Sequence, residues 1–132
     1  MPITKFRKTV IDDLQIESLL RINQVTKLTA TPTVTLNVAT SNNFEISLTT
    51  NCTIVLTGYT PFEAGRTSCQ MRIFLIQDST GNRSVTWPAN VTLTGPSISK
   101  VASTYTSILL ATVDGGVNWL ATVEYTGSLK QY

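Results

Sequence analysis

Histidine is absent from the 132 residues of this chain. Its absence removes the commonest general base, the usual zinc ligand and every Ser–His or Cys–His arrangement. Charge is scarce as well, at 14% of residues, against about a quarter in ordinary globular proteins. The net charge of +2 is too small to imply nucleic-acid binding. The one basic cluster, Lys5, Arg7 and Lys8, reads as a solvated tail. Cysteine is limited to Cys52 and Cys69, too few for a disulfide framework and wrongly spaced for zinc. Both sit in strand-like runs and read as small buried hydrophobes, with a bridge across adjacent strands as the alternative. No apolar run approaches the roughly 18 residues that span a bilayer. No secretory leader is legible before the first charges, so cytosolic synthesis is expected. Neither membrane nor nucleic acid is an expected partner.

What remains is apolar and β-branched. Hydrophobic residues make up 42% of the chain, and Thr and Val suit a pleated surface better than a helix. A single domain of this length can bury a sizeable core.

The chain divides into an N-terminal segment, residues 1–30, and a body, residues 31–132. In the segment Phe6, Val10, Leu14, Ile16, Leu20 and Ile22 share one parity, which suits an extended arm with short strands. Val10, Ile11, Leu14 and Leu20 also tolerate a short helix starting near Asp12. In both cases the apolar side chains call for a partner surface, on the chain's own body or on another chain.

The body reads as successive strands. Val34, Leu36 and Val38 alternate inward, then Phe44, Ile46 and Leu48 do the same. Residues 53–57 resume after a break at Thr50-Asn51. Residues 68–77 are nearly continuous in apolar character, as in a central strand covered on both faces. A hairpin is expected to turn at residues 78–82, where Gly81 supplies positive φ, and to return over residues 83–87 until Pro88 ends the ladder. Residues 90–94 form a short strand. A second hairpin joins residues 104–113 to 117–125 through Asp114-Gly115-Gly116. Such closely spaced strands predict an all-β fold, a jelly-roll-like β-sandwich preceded by the extended arm.

No cofactor, metal or catalytic set emerges. Asp12 and Asp13 are adjacent, so their carboxylates diverge. Asp78 and Asp114 sit at turns, where Asp caps its own backbone. Gly115-Gly116 is a hairpin turn and not a phosphate loop, because no helix N-terminus follows it. Arg83 faces Asp78 across its turn and can close it as an ion pair. Trp87 and Trp119 read as core or subunit-interface anchors. Tyr59 and Phe62, in the longest loop, are candidates for an exposed contact patch.

The run Asp78-x-x-Gly81-x-Arg83-x-x-x-Trp87-Pro88, supported by Gly115-Gly116-x-x-Trp119, resembles a β-domain of tailed-bacteriophage virion proteins. That domain occurs in tail-fibre heads and in small capsid decoration, or cement, proteins. The resemblance spans residues 42–125. It departs after Pro88, where the family usually continues with a second Trp-Pro-Gly-Gly stretch and this chain reads Val91 to Pro96. It implies a virion location and a homotrimer of β-sandwich subunits. Two roles follow. In the first, the chain is a decoration protein that binds the major capsid protein or another virion protein through Phe6, Val10, Ile11, Leu14, Ile16 and Leu20. In the second, it is a fibre tip that binds a host surface receptor. The short distance from Met1 to the β-body favours the first. An enzyme, such as a glycan depolymerase, is disfavoured by the missing histidine and the lack of converging carboxylates.

Overall fold

The computed structural model describes residues 25–58 and 68–128. The arm candidates Phe6, Val10, Ile11, Leu14, Ile16 and Leu20, and the loop candidates Tyr59 and Phe62, lie outside the described residues. Among the described residues there are nine strands and no helix: β1 (Thr26–Thr29), β2 (Thr33–Asn37), β3 (Asn43–Leu48), β4 (Cys52–Thr57), β5 (Cys69–Gln77), β6 (Val85–Thr86), β7 (Val91–Thr94), β8 (Tyr105–Thr112) and β9 (Trp119–Gly127).

The strands form two sheets. The larger has the order β1-β3-β5-β8-β9-β7 and the smaller β2-β4-β6. The chain therefore visits the sheets alternately from β1 to β6. Each return runs in the same direction as the last, so β1–β3, β3–β5, β2–β4 and β4–β6 are all parallel. β8 then pairs antiparallel with β5 and β9, and β7 lies parallel to β9 at the far edge.

This arrangement corrects two expectations. A jelly roll is built from antiparallel Greek keys, whereas the first six strands here wind as a flattened coil. The expected hairpin at residues 78–82 is not one: β5 belongs to the larger sheet and β6 to the smaller. The turn at Gly81 carries the chain across the core and not back along β5. The hairpin of β8 and β9 is present, with a bulge at Ser107/Ile108.

The coil also explains the side-chain pattern. Its inside is core and its outside is solvent, so strands alternate even where their ladders are parallel. β3 buries Phe44, Ile46 and Leu48, and β4 buries Cys52, Ile54 and Leu56. β5 buries Met71, Ile73, Leu75 and Gln77 on one face, while Arg72, Phe74 and Ile76 stay half-buried on the other. The second face of β5 is thus only partly covered, contrary to the expectation of full burial. Residues of both sheets meet in one hydrophobic cluster, with Leu36, Ile54, Ile73, Ile108, Leu110 and Trp119 almost wholly inaccessible. Each such aliphatic side chain contributes roughly 1.5–3 kcal/mol.

The end of the N-terminal segment joins this body. β1 forms the other edge of the larger sheet, and Ala30 is buried in the core. Cys52 and Cys69 are both free, and burial pushes both thiols up from their ordinary pKa. They stand on strands of different sheets and not on adjacent strands, and no bridge joins them.

Candidate contact surface

Two turns hold or adjoin the candidate residues that lie among the described ones. At the first, Asp78 Oδ1 accepts from the main-chain N–H of Gly81 at 2.9 Å and of Thr80 at 3.2 Å. Arg83 donates from Nη2 to Asp78 Oδ2 at 2.8 Å and from Nε at 3.2 Å. The Arg83 hydrogen bonds, aided by those main-chain N–H groups, hold the Asp78 carboxyl below the ordinary carboxylate range. Gly81 has φ +71°, and a Cβ there would stand 2.8 Å from Ala102 N. Every one of these polar groups is used to close the turn. Trp87 follows at the end of β6, half-buried against the core.

The second turn, between β8 and β9, is built the same way. Thr112 Oγ1 donates to Asp114 Oδ1 at 2.8 Å and accepts from Gly116 N at 3.0 Å. Asp114 also accepts from Asn118, main chain and side chain, each at 3.0 Å. The Asn118 bonds, with that from Thr112, lower the Asp114 pKa. From across the loop, Asn90 Nδ2 donates to the Val117 carbonyl at 3.1 Å. Trp119 then enters β9 at 2% exposure, in the core.

The structure separates these residues: Asp78 and Arg83 serve one turn, Asp114 and Trp119 the other. No three acidic or cysteine side chains converge among the described residues. What the second turn does present is apolar. Val113 and Val117 are 75% and 59% exposed at its tip. Beside them a concavity of about 380 Å³ is lined by Thr92, Ala111, Thr112, Val113, Trp119 and Leu120, among others. The sequence pattern places both valines at strand ends; the structure puts them in the loop. The signal for this was the polar set Thr112, Asp114 and Asn118 around Gly115-Gly116, which closes a longer turn than the glycines alone need.

A second, smaller hollow of about 150 Å³ lies on the outer face of the larger sheet, lined by Asn42, Asn43, Gln70, Met71, Arg72 and Leu109. Arg72 reaches over β8 to Glu124 at 3.1 Å, and both side chains are well exposed. A pair so placed contributes little to stability.

The described residues thus form an all-β body whose two turns hold their own Asp side chains and whose second turn presents an apolar tip. Its residues 28–118 match a family model described as "Putative phage tail fibre C-terminal domain", and the chain belongs to that family. It is therefore a structural domain of the tailed-phage virion. No curated protein and no solved structure matches it.

Proposed function

We propose that the chain works on the phage tail, as a fibre domain that meets the host surface through the β8–β9 tip. The observation that carries this reading is the exposure of Val113 and Val117 on a turn whose polar groups are already satisfied. Apolar side chains held in water on a rigid support mark a contact site. The family's description, which names tail fibres, supports a tail location. The role is binding and not catalysis, since the chain has no histidine and Asp78 and Asp114 are committed to their turns.

The competing role is capsid decoration through the N-terminal arm. Immunogold labelling of intact particles with antibody to this chain separates the two. Label on the tail is expected; label over the head sinks the tail reading. Adsorption tests the contact itself. Purified protein should slow attachment of the phage to its host, and V113S/V117S should lose that competition while keeping its melting temperature.

A further inference from the structure

We infer that Thr112 and Asn118 guard the main chain against isomerisation at Asp114-Gly115, by pinning the Asp114 carboxylate so that it cannot swing onto the Gly115 nitrogen. Asp114-Gly115 is the single Asp-Gly step of the sequence, and no Asn-Gly step occurs. Aspartate before glycine is the pairing most open to this reaction, because glycine has no Cβ to obstruct the approach to its own nitrogen. The Gly115 nitrogen bonds to Asp114 Cγ and closes a cyclic imide. The carboxyl hydroxyl leaves with the Gly115 N–H hydrogen as water. A second water then opens the ring at either carbonyl. Opening at the main-chain carbonyl leaves the chain running through the aspartate side chain, one methylene longer than before.

The turn ties up both carboxylate oxygens. Oδ1 accepts from Thr112 Oγ1 at 2.8 Å and from Asn118 N at 3.0 Å, and Oδ2 accepts from Asn118 Nδ2 at 3.0 Å. Ring closure has to break these bonds first. Thr112 cannot easily follow the carboxylate, since it is 4% exposed and its Oγ1 also takes the Gly116 N–H at 3.0 Å. Gly115 is itself buried, with φ +71°, so the attacking nitrogen is held as well. The same bonds favour the ionised carboxylate, a form with no hydroxyl ready to leave. Two glycines suffice to reverse the chain; the added polar set acts on the one main-chain bond they leave chemically weak. An extra methylene here would displace Val113 and Val117, exposed at the tip. The guard is independent of what that tip touches.

Ageing of the purified full chain at neutral pH, well below its melting temperature, tests this. Isoaspartate at residue 114 is read by peptide mapping with electron-transfer fragmentation, and the urea-unfolded chain sets the unguarded rate. Breaking the bonds before closure raises the barrier, so the folded wild type should isomerise roughly tenfold more slowly than the unfolded chain, or slower still. Asn118→Ala should raise the folded rate several-fold. T112V/N118A, which strips both side-chain donors, should raise it further. Thr112→Ser keeps the hydroxyl and should age like the wild type. Gln77→Leu, altered at the other turn, should also age like the wild type, which separates the local clamp from a general loss of stability. A wild type that ages as fast folded as unfolded overturns the inference. So do Thr112 and Asn118 variants that age no faster than the wild type, or a Gln77→Leu chain that ages as fast as they do.

Discussion

The carboxamide of Gln77 takes both main-chain groups of Arg83. Its Nε2 donates to the Arg83 carbonyl at 2.8 Å, and its Oε1 accepts the Arg83 N–H at 3.0 Å. The same Nε2 donates to the Ser99 carbonyl at 3.0 Å. Gln77 is 3% exposed, so these bonds lie away from water. A side chain thus does what a hairpin ladder would have done, and it frees residues 83–87 to leave for the other sheet. Gln77→Leu keeps the volume and strands three main-chain groups. Each buried unsatisfied group costs ~1–3 kcal/mol, and partial rehydration places the loss near ~3 kcal/mol. Urea unfolding measures it. A loss below ~0.5 kcal/mol would mean that the carboxamide is not what holds the crossing.

Gly81 turns the chain beside that bond. Its φ of +71° is strained for other residues, and the atoms nearest an added Cβ are backbone: Ala102 N at 2.8 Å and Lys100 O at 2.9 Å. Backbone cannot step aside as a side-chain tip can. Gly81→Ala should therefore destabilise by more than the ~1 kcal/mol typical of an unfavourable φ alone. Gly115→Ala is the comparison. Its φ is also +71°, in the turn whose tip carries the exposed Val113. It should lose less, by thermal melting of the two variants side by side.

Asp78 and Asp114 make the fold sensitive to acid. Both carboxyls titrate below their ordinary value in the folded chain, Asp78 chiefly through Arg83 and Asp114 chiefly through Asn118. The unfolded chain then binds more protons in that range, so stability rises with pH there. The contribution is complete above the unfolded carboxylate value of about 3.9. It is lost as pH falls below that value and through the lower folded one. Asp78→Asn and Asp114→Asn should each flatten the acid limb of a stability–pH curve between about pH 2 and 5, and the double variant more so. An unchanged acid limb in the double variant would place the sensitivity elsewhere.

Strand positions were legible in the sequence because alternation reports burial directly. Val34 and Leu36, Phe44 to Leu48, and Ile108 to Leu110 are inward where their period says so. The β8–β9 hairpin was legible because Asp114-Gly115-Gly116 names its own turn. Partners were not legible. Period two gives the face a residue points to, and says nothing of which strand lies beside it or in which direction it runs. Phe44 alternates with Glu45 equally well beside a parallel β5 or an antiparallel one. The crossing after β5 depended on a glutamine, a residue type with no turn signature of its own. The contact surface was the least legible part. Val113 and Val117 look like core valines until the side chains of Thr112, Asp114 and Asn118 are seen to lift them out.

Trp87 offers a test in the opposite direction. Its Nε1 is buried with no hydrogen-bond partner among the described residues, although the ring packs on the core. A buried donor without a partner has given up its bond to water and gained nothing in return. Trp87→Phe removes that donor and keeps most of the apolar contact. The loss of ring area, about 1 kcal/mol, is then offset by the desolvation no longer incurred. The variant should unfold within ~1 kcal/mol of the wild type, whereas Trp87→Ala should lose ~3 kcal/mol. Iodide quenching follows the same variants, because in Trp87→Phe the remaining emission comes from Trp119, at 2% exposure, and should be nearly unquenched. A phenylalanine variant as unstable as the alanine one would show that the indole N–H has a partner in solution.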